Sequence, residues 1–192
     1  MNRNQVLPQV QLSAEPAALK KVDFCAPQPY KGAGFLSISD LPRVLEEASS
    51  VNPGDGFDWQ IETHFEDSPG SEPRQILQLG LHGRLQVICQ RCLQDCAINL
   101  DDQRRFVLVQ TEAAADDYPI EDEDQEPLVI SQHFNLLETM EDEVLLSLPL
   151  IPKHPEGFCE PHATIFGIED EEEGSEEREN PFNVLKNMKK NS

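Results

Sequence analysis

The stretch CQRCLQDC, Cys89 to Cys96, places three of the chain's five cysteines within eight positions. Three chemistries suit such a cluster: a disulfide, a redox-active dithiol, or half of a metal site. An odd cysteine count leaves disulfide pairing incomplete. The opening MNRNQVLPQVQL has no apolar run of signal-peptide length, so the thiols are expected in a reducing cytoplasm. A redox C-x-x-C normally opens a helix, whose dipole lowers a thiol pKa, and no helical pattern follows Cys92. Two thiolates three positions apart can both reach one tetrahedral ion, yet they fill only half of its coordination sphere.

The other half is available downstream. The segment KHPEGFCEPH, Lys153 to His162, offers His154, Cys159 and His162, with prolines and a glycine that favour a tight loop. The expected quartet is Cys89, Cys92, His154 and Cys159, with His162 or Cys96 as substitutes. Zinc held this way would be structural, because four protein donors leave no coordination position for water. Sixty-one residues separate the two halves, far more than in a compact zinc finger, so ordinary reduced thiols without metal remain an open alternative. There is no phosphate-cradling glycine loop, no G-x-S-x-G, no H-E-x-x-H and no H-x-E of the zinc deaminases. An enzyme, whether a zinc-dependent nuclease or a dithiol oxidoreductase, is the alternative to a non-catalytic binding protein.

Three alternating runs position the cysteines. Trp59, Ile61, Thr63 and Phe65 share one face of a strand near 58–66, and Leu77, Leu79, Leu81, Leu85, Val87 and Cys89 share one face of a second. A third runs from Ile98 to Gln110, with a bulge expected near 101–105. Cys89 and Cys92 then fall at a hairpin tip. Ala18 to Cys25 reads as a further strand. Pro42 early in LPRVLEEA, with Leu41, Val44, Leu45 and Ala48 as a stripe, predicts a helix over 40–49. Asn135 and Glu138 resemble a capping box that opens a helix over 135–148, in which Leu137, Met140, Val144 and Leu148 recur at helical spacing. Pro149 and Pro152 stop it. Its acids, Glu138, Glu141, Asp142 and Glu143, read as a solvated face. The predicted class is α+β: an antiparallel sheet, a meander or partly open barrel, covered by one long helix and a few short ones.

Composition limits the size of the core. Hydrophobic residues make up 38% of the 192, proline occurs 15 times and the formal net charge is −21. No segment approaches the roughly 20 apolar residues of a membrane span, so a soluble cytoplasmic protein is expected. Eight acids fall within 112–126 and eight more within 169–179. Such blocks repel themselves and predict disordered loops. The expected division is a single domain over 1–168, an acidic linker over 169–179 and an amphipathic helical tail over 180–192. In that tail Phe182, Leu185 and Met188 form an apolar stripe beside Lys186, Lys189 and Lys190, a candidate partner-binding element.

Several stretches, CQRCL, LLETMEDEVLLSLPLIPKHPEGFC, the FG at Phe166 and Gly167, and NPFNVLKNMKK, together resemble the YceD family, the large ribosomal RNA subunit accumulation proteins. The resemblance spans roughly 38–190. It implies a bacterial cytosolic protein connected with large-subunit (23S) ribosomal RNA, and it carries no catalytic residues with it. The expected function is a non-enzymatic ribosome biogenesis factor that binds precursor ribosomal RNA or a basic ribosomal protein. Arg84, Arg91, Arg104 and Arg105 are the candidate RNA contacts. The charge of −21 opposes direct RNA binding and favours a basic protein partner.

Overall fold

The computed structural model describes residues 8–67, 73–119 and 125–159. Its centre is the three alternating runs, which form β3 (Gly56–Glu66), β4 (Arg74–Ile88) and β5 (Asp95–Val109), paired antiparallel in that order. Trp59 faces Leu81, Ile61 faces Leu79 and Thr63 faces Leu77 across the first pair, and Leu77 faces Phe106 across the second. Side chains alternate between faces along a strand, so these pairs build one apolar layer. The β4–β5 register runs without interruption from Gln75–Leu108 to Ile88–Asp95, and there is no bulge at 101–105.

The sheet is larger than the meander and is mixed. Its order is β1-β2-β3-β4-β5-β6, with β1 (Val10–Gln11) and β6 (Glu126–Val129) added parallel at the two edges and β2 (Tyr30–Ser37) antiparallel to β3. It is open and does not close into a barrel. Each parallel edge is reached by a crossover holding a short helix, α1 (Pro16–Leu19) before β2 and α3 (Glu112–Asp116) before β6. Parallel neighbours require such crossovers. The strand expected over 18–25 is therefore replaced by the end of α1 and a lone bridge from Val22 to Phe134. The first acidic block is also partly ordered: Thr111 caps α3 by accepting from the Ala114 N–H, and the Tyr118 hydroxyl accepts from Arg74 and donates to Gln125. Residues 120–124 and the second acidic block lie outside the described residues.

One face of the sheet is covered by α4 (Leu136–Ser147) and by α2 (Pro42–Glu47), which follows a short 3-10 turn over Ile38–Asp40. Asn135 Oδ1 accepts from the Glu138 N–H at 3.2 Å, and the expected box closes between side chains, Asn135 Nδ2 donating to Glu138 Oε2 at 2.9 Å. Leu136, Leu137, Met140 and Val144 are buried in the same core as Trp59, Leu79 and Phe106. The acidic face of α4 is not wholly solvated. Glu141 and Glu143 are each only 5% exposed. Glu141 accepts from the backbone N–H and the Nε of Arg43, and Glu143 pairs with Arg104 at 2.9 Å. Asp102 and Arg104 have the same strand parity as Leu100 and Phe106, so the covered face carries charge, and α4 supplies the counter-charge.

Candidate metal centre

β4 and β5 are joined by a tight turn that the cysteines themselves occupy. The Cys89 N–H donates to Gln94 O and the Leu93 N–H donates to Cys89 O, each at 2.9 Å, closing the loop around the first thiol. Closure requires a left-handed residue just after the second cysteine, and Leu93 takes it with φ of 58°. Cys89 and Cys92 are buried.

The downstream segment arrives because Pro149 ends α4 and the chain then bends at Leu150 and Ile151 and passes the turn. The Gln90 N–H donates to Pro152 O at 2.9 Å, fastening the two segments together. His154 Nε2 lies 2.9 Å from Asp95 O. A carbonyl can only accept, so Nε2 carries the proton and Nδ1 turns its lone pair toward the sulfurs. Nδ1 is 3.4 Å from Cys92 Sγ and 3.5 Å from Cys159 Sγ, and Cys89 Sγ is 3.6 Å from Cys159 Sγ. All four donor atoms lie within 4.8 Å of one another, close enough for one metal ion to touch them all.

Electrostatics separate the thiols. Burial pushes Cys89 up, but hydrogen bonds from the backbone amides of Cys92, His154 and Arg91, and then from the Cys159 thiol, bring it down to about 5. Burial and the hydrogen bonds and charges of Cys89 and Cys92 push Cys159 up to about 11. Without an ion the cluster thus sets a lowered Cys89 thiol against a raised Cys159 thiol, the arrangement a cation relieves.

Of the two substitutes, Cys96 is buried beside Cys89 and Cys92 but is not among the converging donors. It pairs with Val87 in the sheet and shares the parity of Ile98 and Leu100 on the covered face. His162 lies outside the described residues, as do Phe182, Leu185, Lys186, Met188, Lys189 and Lys190. Of the candidate RNA-contact arginines, Arg91 is exposed in the turn after β4, whereas Arg84, Arg104 and Arg105 lie in the sheet. Arg104 and Arg105 are consecutive strand residues and project to opposite faces. Arg104 is held by Asp102 and Glu143, Arg105 by Glu66 at 2.6 Å, and Arg84 by Asp55 at 2.8 Å. Asp55 is a buried carboxylate with no sequence signature, and Asp95 contributes to the cluster through its backbone alone, which no side-chain pattern reveals.

The profile of the family described as large ribosomal RNA subunit accumulation protein YceD matches residues 77–189, a span that includes both halves of the cysteine–histidine cluster. The large ribosomal RNA subunit accumulation protein YceD of Haemophilus influenzae is 36% identical over 164 residues, covering 81% of this chain and 86% of that protein. No solved structure matches.

Proposed function

The chain belongs to the YceD family of large ribosomal RNA subunit accumulation proteins, and from that premise we propose that it is a non-enzymatic cytoplasmic factor for accumulation of 23S ribosomal RNA. It acts by binding, and its partner is a basic ribosomal protein in preference to naked precursor RNA. The observation that carries this choice is the commitment of three of the four candidate arginines. Arg84, Arg104 and Arg105 are each within 3.0 Å of a carboxylate, and a base already paired is a poor phosphate ligand.

Cys89, Cys92, His154 and Cys159 hold a structural zinc ion in this reading. A tetrahedral site with Zn–S of about 2.3 Å and Zn–N of about 2.0–2.1 Å has sulfur–sulfur edges of about 3.8 Å and sulfur–nitrogen edges of about 3.5 Å. Three of the six distances between these donors are close to that, 3.6 Å for one sulfur–sulfur pair and 3.4 Å and 3.5 Å for two sulfur–nitrogen pairs, and all six are within 4.8 Å. The ion ties the turn after β4 to the segment after α4 and leaves no place for a reacting water. The domain over 1–168 and the linker over 169–179 then carry the 180–192 tail as a second contact element, with Phe182, Leu185 and Met188 as its apolar anchors.

The test is genetic. Loss of the gene lowers the ratio of 23S to 16S ribosomal RNA, the full chain restores it, and a chain ending at Glu179 restores it incompletely. An unchanged ratio in the deletion strain overturns the proposal.

A further inference from the structure

Among the described residues, ten large apolar side chains are exposed, and five of them lie on the two segments that bear the metal-ligand residues. These are Ile88, Leu93, Leu150, Ile151 and Phe158, with Leu150 98% exposed and Phe158 75% exposed. Solvent-facing loops are normally polar, so Leu150, Ile151 and Phe158 together on the loop after α4 mark a contact surface. This loop is also rigid. Pro149, Pro152 and Pro155 restrict its backbone, the Gln90 N–H holds Pro152 O, and His154 is tied to Asp95 O. Side chains presented by such a frame lose little entropy on binding.

Beside them runs a groove of about 330 Å³ between the end of α2 and the segment after α4. Val87 and Ile98 line it together with Leu148 and Leu150, and its charged lining residues are Glu46 and Glu47, with no base among them. An apolar groove with an acidic rim repels a nucleic-acid backbone and matches an apolar residue flanked by lysine or arginine. A second copy of this chain is a poor occupant, because it would bring its own formal charge of −21 against the first.

We infer that this groove docks a short segment of a basic large-subunit ribosomal protein, an apolar side chain seated against Ile98 and Leu150 and a lysine or arginine beside Glu46 and Glu47. The inference rests on the reading of the chain as a protein-binding factor of large-subunit assembly, and adds where and by what chemistry the partner is held.

The test uses the full-length chain, large-subunit ribosomal proteins purified one at a time, and a 23S RNA transcript. Leu150→Asp and the double change Glu46→Lys, Glu47→Lys alter exposed side chains, so both variants should melt with the wild type. At least one basic ribosomal protein should bind, and each variant should weaken it about tenfold or more, the effect of losing a central anchor. If that protein binds both variants as it binds the wild type, the groove is wrong and the protein-binding reading stands. If the wild-type chain binds only the transcript, with a steep salt dependence, both are overturned. Two further outcomes would give the groove to another occupant and end the inference: wild-type self-association that Leu150→Asp abolishes, or a gain in affinity on removing residues 180–192.

Discussion

Leu93 shows how one position in the turn balances strain against chemistry. A left-handed conformation costs a side-chain-bearing residue about 1–2 kcal/mol, and glycine avoids that at the expense of a more flexible unfolded chain. Leu93 is 55% exposed, so it has little packing to lose. Leu93→Gly should raise stability in denaturant unfolding by roughly 0.5–1 kcal/mol; a fall would mean that its side chain contributes more than the strain costs. Cys89→Ser removes the thiol whose pKa is lowered to about 5. On the zinc reading, native mass spectrometry should then show loss of the ion, and the melting temperature should drop steeply, since structural zinc contributes on the order of 10 kcal/mol to small domains. Cys25→Ser, at an exposed cysteine outside the cluster, is the control and should change neither. A metal-free wild type whose melting ignores chelator would leave the cluster as plain thiols. The four clustered residues were legible because each pair is local, Cys89 with Cys92 and His154 with Cys159. That Cys96 stands apart was not, since it depends on strand parity at the Val87–Cys96 pair.

At the scale of elements, α4 is the piece whose outline the sequence carried and whose charged face it did not. Cap, apolar stripe and proline stop are all local signals, and the helix lies within a residue of its expected bounds. Whether its acids meet water depends on what the neighbouring strand presents, and β5 presents Asp102 and Arg104. Glu143 records that meeting. Its pKa is raised, first by burial and then by the charges of Glu126, Asp102 and Asp142, against the opposing pull of Arg104. A carboxyl whose folded pKa lies above its unfolded value binds its proton more tightly when folded. Stability is therefore lost as pH rises from the ordinary glutamate value, about 4.3, through the folded one. Glu143→Gln should flatten that decline above the ordinary glutamate value. Arg104 would keep Asp102 as a partner at 3.0 Å. An equally steep decline in the variant, followed by denaturant midpoints across pH, would assign the slope to other groups. The missed strand β2 has a similar cause. YKGAGFLS lacks apolar alternation because Gly32 and Gly34 make room for the Trp59 ring; a methyl at Gly34 would stand 3.1 Å from Trp59 Nε1 and 2.7 Å from Ala14 Cβ.

Over the whole molecule, a formal charge of −21 sits on a fold whose central arginines are already paired. Added salt screens both the repulsion and those pairs, but unpaired like charges greatly outnumber the pairs. The melting temperature should accordingly rise between about 0.05 M and 0.5 M sodium chloride; a fall would show that the paired arginines outweigh the repulsion. By itself the sequence determined the three central strands, the two covering helices, the ligand residues of the candidate metal centre and the family. All of these are written in spacings of two, three or four residues, or in short motifs, and such signals survive without knowledge of the fold. Only the tertiary structure decided that the sheet is mixed and open, that Arg104 and Arg105 face opposite ways into separate ion pairs, that two glutamates of α4 are buried, and that the halves of the cysteine–histidine cluster converge. Each of those depends on register between elements far apart in the chain, where contacts form through packing and pairing that no local pattern encodes.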